Sequence, residues 1–501
     1  MKNILTCSEN ISHEYCCTVV RIGEIEPIEG SDFLGKTMIN GFSTVVRKDV
    51  VKEGSIMIYS ANETELNEKF LAVNNQYEYG LCELNSNAEE VIRRKNLIEQ
   101  LRSEDKFEEA NELEVANKQC VGFFNKYGRV KMIRLRGCPS FGYIFGIDAL
   151  INYCPDATNI NFEELIDQDF DTVNGELFVK AYMPRIKVYE RKQTNSKDRR
   201  RNKRIKKFDR MIPGQFSFHY DTQQLNRCMH KIQPDDIVTI SLKLHGTSFI
   251  ISNCKVLCPK YSGLYSKIFN YLPKWLKFTK QTNDVIYSSR NIIQNSHINT
   301  AAPPSYYKSN IYEEYYNHLK NYIPEGYSLY GEIIGYMTGS DKMVQKNYDY
   351  GCQVGKNKLM IYRIVSEECS GKYEWNVSEV RQWTDNLIKT YPELKDVIHP
   401  IDIMYHGTLK ELYPDIDIHT HWHERVLEAL KNDVEYFGME KNEPLCKHKV
   451  PREGIVLRID NDITKEAFKL KCVNYLQKES NNIDTTVDIE MMSRYLDEDN
   501  Q

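Results

Sequence analysis

Lys243-Leu244-His245-Gly246-Thr247 lies between two apolar runs, Ile237-Val238-Thr239-Ile240 and Ser248-Phe249-Ile250-Ile251, and both runs read as strands. A lysine in such a turn, beside a glycine that lets another molecule approach the backbone, has the makings of a covalent nucleophile. Three later segments carry charge on short apolar strands: Tyr330-Gly331-Glu332-Ile333-Ile334-Gly335, Arg452-Glu453-Gly454-Ile455-Val456-Leu457-Arg458 and Ala467-Phe468-Lys469-Leu470-Lys471-Cys472. Period-two alternation puts Lys469 and Lys471 on one face of their strand. A lysine nucleophile, two separated glutamates and a terminal lysine pair suit adenylyl transfer from ATP.

For that chemistry Lys243 must attack as a free amine. Its reference pKa of about 10.4 leaves far too little neutral amine at pH 7. Neighbouring cations, Lys469 and Lys471 together with a divalent metal, are expected to lower it. Lysine suits the role because its pKa shifts readily, whereas arginine stays charged. Preorganised cations then stabilise the negative charge that develops at phosphorus.

In order and content these segments resemble the nucleotidyltransferase motifs of ATP-dependent RNA ligases. His245 favours RNA ligases over DNA ligases and capping enzymes, which usually carry aspartate there. The resemblance implies a lysyl-AMP on Lys243, transfer of AMP to an RNA 5′-phosphate, and sealing by a 3′-hydroxyl. It implies that Lys469 and Lys471 contact the α-phosphate and that Glu332 bonds the ribose of AMP. It also implies that Glu453 helps hold Mg²⁺ or Mn²⁺, a hard cation that prefers oxygen ligands. By the same resemblance Arg290, in Tyr287-Ser288-Ser289-Arg290-Asn291, is expected to reach the ribose or phosphate end, and Tyr362 to stack on adenine. Gly246 lets the nucleotide approach the backbone, and His245 acts at the leaving pyrophosphate or supports the lysine strand. Each residue also has a structural reading. Tyr362 fits a core position, Arg290 can pair with Asp284, and His245 can lock the loop. Ser248 stands where some related ligases carry asparagine.

The resemblance extends to the N-terminus through Ile25-Glu26-Pro27-Ile28-Glu29-Gly30, Val50-Val51-Lys52-Glu53-Gly54, Asn74-Asn75-x-Tyr77 and Leu135-Arg136-Gly137-x-x-Ser140-Phe141-Gly142. These match the branch of the family that places an OB domain before the nucleotidyltransferase domain. Short strands punctuated by Pro27, Gly30, Gly41 and Gly54 fit such a barrel. Thr18 to Ile22, Ser43 to Val46 and Val130 to Gly137 read as strands, with Arg134 and Arg136 on one face as a cationic surface. Between them, Asn87 to Lys118 reads as a helix or helical pair.

We therefore expect an α+β protein. An N-terminal OB-like β-barrel occupies 1–150, with a helical insert near 87–118, and a basic linker spans 151–212. An adenylation domain of ATP-grasp-like antiparallel sheets covers 213–480, and an acidic polar tail covers 481–501. Residues 369–447 are expected to be largely helical. The stretch 261–282, long for a connection, reads as an amphipathic packing helix, or as aromatics and cations that hold single-stranded RNA.

The 501 residues suit two or three domains. A net charge of −5 does not exclude nucleic acid, because the basic run Lys197 to Lys207 is local. That run suits phosphate contact or plain solvation better than a nuclear-localisation signal. Fourteen cysteines without framework spacing suit reduced thiols in a cytoplasmic or other reducing compartment. The abundance of tyrosine and asparagine gives an impression of viral origin. Cys228-x-His230 with Cys254 and Cys258 fits no standard zinc spacing, and His406, His419, His421 and His423 read as scattered surface residues. No apolar run approaches the roughly 20 residues of a membrane span, and the resemblance implies RNA, a nicked or broken strand or a duplex, as the partner. A capping guanylyltransferase shares the lysine chemistry, and a non-catalytic RNA-binding protein could retain the fold. Nucleotide choice separates the first from a ligase, and the absence of a covalent adduct marks the second.

Overall fold

The computed structural model describes residues 4–9, 11, 13–183, 208–219, 222–298, 310–368, 371–461 and 465–482. The basic run Lys197 to Lys207 and the acidic tail lie outside the described residues. The chain divides into two compact units, residues 1–185 with 477–481 and residues 186–476 with 482–501.

In the first unit Cys17–Arg21 and Ile56–Ser60 pair antiparallel at the centre of a four-stranded sheet, with Tyr143–Gly146 and Asp169–Phe170 at its edges. Val19 faces Ile58, and both enter a core with Phe70, Phe145 and Phe178. Glu26–Ile28, Ser31–Ile39 and Phe42–Arg47 form a separate three-stranded sheet. The helical insert is a pair, Ala88–Ser103 and Phe107–Gln119, that turns at Asp105, where φ is +60°.

Three expectations need correction here. Of Val130 to Gly137 only Ile133–Leu135 is strand, because Arg136 and Gly137 both take positive φ and form a tight turn into Cys138–Ser140. Arg134 and Arg136 therefore do not share a strand face. Residues 151–183, assigned to the linker by composition, carry two- and three-residue strands that pair with Leu5–Thr6, Cys17–Arg21 and Thr64–Leu66. Strands that short leave no readable period. Residues 477–481 also belong with this unit: buried Arg129 donates to the Ser480 carbonyl at 2.8 Å.

The second unit is built on two mainly antiparallel sheets. One is ordered Gln223–Gln224, Ala467–Lys471, Gly454–Ile459, Ile237–Lys243, Ile403–Thr408. The other is ordered Thr279–Ser288, Thr247–Pro259, Tyr327–Gly335, Asn357–Glu368, Gly371–Glu374. Alternation sorts their side chains. Ile240, Leu242, Ile455, Leu457, Phe468 and Leu470 share a core with Val426 and Leu430 of the helix Trp422–Asn432. Neighbouring Ile333 and Ile334 enter different cores, the former beside the helices Ile311–Leu319 and Val377–Thr390.

Residues 369–447 are only partly helical, since Ile403–Thr408 lies within them as the partner of the lysine strand. Residues 261–282 form no long helix. They hold a five-residue helix, Leu264–Ile268, and short 3₁₀ turns around Pro273, and Thr279–Ser288 then begins a strand.

Candidate active site

Lys243 is the last residue of its strand and pairs with Gly454, which in turn pairs with Lys471 on the third strand. Leu242 and Leu470 point into the core, so alternation turns Lys243, Lys469 and Lys471 to the opposite face. Gly454 takes φ +143°, and a Cβ there would meet the Leu470 carbonyl at 2.1 Å. Glycine thus lets three strands close up at the point where Glu453 turns toward the lysines.

Glu453 is buried, with Oε1 2.8 Å from Lys243 Nζ and 3.9 Å from Lys471 Nζ. Burial pushes its carboxyl upward, but the charges of Lys243 and Lys471 outweigh this and hold it below the ordinary range. Burial also presses Lys243 to lose its proton and Lys471 adds to that pressure, yet Glu453 dominates and holds the ammonium above the ordinary lysine value. Lys471 lowers the Lys243 value, as expected of a neighbouring cation, but the net direction is upward because of Glu453. A carboxylate in direct contact at 2.8 Å acts strongly on an ammonium.

The loop after Lys243 is held from three directions. The Gly246 N–H donates to Glu332 Oε1 at 3.0 Å, and Gln345 Nε2 donates to the Gly246 carbonyl at 2.8 Å. The His245 N–H donates to Tyr350 Oη at 2.7 Å. The His245 ring shares a hydrogen bond of 3.0 Å with Tyr475 Oη and lies edge-to-face with Tyr348. A Cβ on Gly246 would meet the Ile333 carbonyl at 2.3 Å, so this glycine is required by close packing between loop and strand.

The structure therefore brings Lys243, Glu453 and Lys471 together and joins His245, Gly246 and Glu332 to the same loop. Lys469 lies one alternation back from Lys471, opposite Val456. Tyr362 packs at the margin of the core, edge-to-face with His219 at 5.7 Å. Arg290 lies in the turn after Thr279–Ser288, and Asp284 pairs with Arg210 at 2.6 Å. Ser248 pairs directly with Glu332.

Gln345, Tyr348, Tyr350 and Tyr475 were not identified as site residues from sequence. Tyr348 and Tyr350 lie in Tyr348-Asp349-Tyr350-Gly351-Cys352, whose residue types point to no catalytic role. The left-handed pair Tyr350 and Gly351 is the feature that turns Tyr350 toward the loop. Among the described residues, the candidate metal-ligating group is His13, Cys16 and Asp169, so neither the Cys228-His230-Cys254-Cys258 set nor the four later histidines is brought together as one.

Two buried atoms fit a nucleotide and a metal ion. Glu453 Oε2 and Ser248 Oγ have no hydrogen-bond partner, which is costly unless a ligand engages them. A single carboxylate oxygen, completed by water and phosphate oxygens, suits Mg²⁺ or Mn²⁺.

Residues 236–473 match the model of the RNA ligase family. A Naegleria gruberi RNA ligase variant solved with ATP and Mn aligns at TM-score 0.50 and 14% identity, over 93% of this chain and 99% of its own. A second Naegleria gruberi variant with ATP and Mn aligns at TM-score 0.48 and 15% identity, over 92% and 98%. At these identities the likeness is one of fold, with mixed α/β structure and antiparallel sheets. No curated protein matches the chain.

Proposed function

We propose that this chain, whose residues 236–473 match the RNA ligase family model, is an ATP-dependent RNA ligase whose side chains carry out the joining of RNA 3′-hydroxyl and 5′-phosphate ends. The observation that carries the proposal is the cluster of Lys243, Glu453 and Lys471: the two lysines pair with Gly454 from either side, and Glu453 immediately precedes it.

Lys243 must first lose the proton that Glu453 helps it retain. A divalent cation, when bound, supplies positive charge that neutralises phosphate oxygens and competes for Glu453. Glu453 Oε2 would hold such a cation, and burial and Lys471 both press Lys243 toward the free amine, its proton passing to solvent. The Lys243 lone pair attacks the α-phosphorus of ATP, the bond to the bridging oxygen breaks, and pyrophosphate leaves with that electron pair. Lys471 and Lys469 face the α-phosphate as negative charge builds on it. An oxygen of an RNA 5′-phosphate then displaces Lys243 from phosphorus and takes the AMP. Finally a 3′-hydroxyl attacks the 5′-phosphate, loses its proton and releases AMP.

Glu332 has two roles in this reading. It accepts from Gly246 and so sets the loop, and it meets the ribose. Tyr362 supports the base and Arg290 the ribose or phosphate end. His245 is fixed by Tyr350 and Tyr475 and serves the side from which pyrophosphate leaves.

The first unit we read as an OB-type domain that grips the strand bearing the 3′-hydroxyl, or the duplex around it. Short strands and a helical insert support this. A reducing compartment suits the free thiols of the described cysteines. No helix among the described residues is long and apolar enough to cross a membrane.

The test is a joining assay with 5′-phosphorylated RNA, supplied with ATP or GTP and Mg²⁺ or Mn²⁺. Joining with ATP alone supports the reading. Covalent labelling with GTP in place of ATP would transfer the protein to capping chemistry.

A further inference from the structure

The strand Thr247–Pro259 begins at the nucleophile loop and leads into an insert, residues 260–278, before the chain returns along Thr279–Ser288. From Lys255 to Asn283 the sequence holds six lysines and no acidic residue. The insert also leaves large rings in water: Trp275 is 75% exposed, Tyr271 69% and Tyr261 54%.

These rings stand on a folded base. Phe269 is buried, edge-to-face with Phe208 at 5.1 Å and with Tyr265 at 5.6 Å. Tyr265 in turn meets Tyr261 edge-to-face at 5.4 Å. The Lys260 N–H donates to the Phe278 carbonyl at 2.9 Å. Tyr265 Oη donates to the Leu276 carbonyl at 2.6 Å and accepts from the Phe278 N–H at 2.7 Å. A segment ordered in this way, yet presenting rings outward among lysines, is an interaction surface.

We propose that the 260–278 insert is a platform for single-stranded RNA, on which Tyr271 and Trp275 stack against bases while Lys267 and Lys274 meet phosphates. Aromatic faces with a run of cations are the chemistry that holds a strand without regard to sequence. A lipid surface, the other polyanion that lysines and tryptophan suit, normally takes a long amphipathic helix. The longest helix here is Leu264–Ile268. The choice of RNA rests on the ligase reading.

Twelve residue steps of about 3.3 Å separate Thr247 from Pro259, so the platform lies roughly 40 Å along the strand from the nucleophile loop. It serves only RNA long enough to reach it.

The test compares the full-length protein with Tyr271→Ala/Trp275→Ala and Lys267→Ala/Lys274→Ala, all exposed positions that leave Phe269 and Tyr265 intact. Binding of a fluorescent 5′-phosphorylated RNA strand is read by anisotropy without ATP, with a long and a short strand. The ring pair is expected to weaken long-strand binding by roughly tenfold or more. The lysine pair is expected to lower the slope of log affinity against log salt by about 1.4. Short-strand binding should be unchanged, and so should formation of the AMP adduct. Unchanged long-strand binding in both variants overturns the proposal. So does loss of binding to anionic vesicles with RNA binding intact, which identifies a lipid site. Should the wild type form no adduct, the ligase reading fails by itself, and the ATP-independent binding arm still decides the platform.

Discussion

Lys243 Nζ lies 2.8 Å from Glu453 Oε1, and Glu453 immediately precedes Gly454, the strand residue paired with Lys243, so backbone pairing sets their separation. The same carboxylate that favours the protonated lysine offers its second oxygen, buried and without a partner, to a cation. In the proposed mechanism, nucleophile activation and metal binding are coupled through this one side chain.

Adduct formation should rise with pH, because Lys243 reacts only as the neutral amine and Glu453 holds its pKa above the ordinary value. In Glu453→Gln the charge is gone, so the half-rise should move to lower pH. The plateau should nevertheless fall by roughly 10²-fold through loss of charge stabilisation. A pH profile of single-turnover adduct formation checks both. An upward shift of the midpoint in the variant would contradict the coupling.

Glu332 accepts the Gly246 N–H through Oε1, so a side chain that keeps a carbonyl acceptor should preserve the loop. Glu332→Gln is expected to retain more activity than Glu332→Ala, with kcat/KM for ATP as the readout. Equal losses in both would mean that the contact with Gly246 does not matter to the reaction.

Tyr350→Phe leaves the His245 N–H without its acceptor. A buried donor left unpaired costs about 1–3 kcal/mol. We expect adduct formation to slow by about tenfold or more while the far-UV spectrum is kept. Rescue by raised ATP concentration would place the defect in nucleotide binding instead.

Gly246→Ala and Gly454→Ala each force a Cβ to within 2.3 Å of a carbonyl oxygen. Each should destabilise the protein by about 1–3 kcal/mol and lower the melting temperature. Gly23→Ala, where a Cβ meets nothing within 4 Å, is the control and should change little.

Much of this site was legible because its parts lie on strands with clear alternation. Lys243, Glu453, Lys469 and Lys471 could be ordered from local pattern and resemblance. Gln345, Tyr350 and Tyr475 could not. They reach the loop from segments about 100 and 230 positions away, and a tyrosine that accepts one backbone N–H has no local signature. The direction of the Lys243 shift was misjudged for a related reason. Sequence shows which charges share a motif, but only geometry shows that a carboxylate lies 2.8 Å from the Lys243 ammonium. The two- and three-residue strands of 169–181 and the strand Ile403–Thr408 are specified by their pairing partners rather than by their own periodicity.

The most direct test is the intact mass of the protein after incubation with ATP and Mg²⁺ or Mn²⁺, beside Lys243→Ala. One added AMP on the wild type and none on the variant is the predicted result. No adduct on folded wild-type protein, shown beforehand to carry no AMP, would contradict the account.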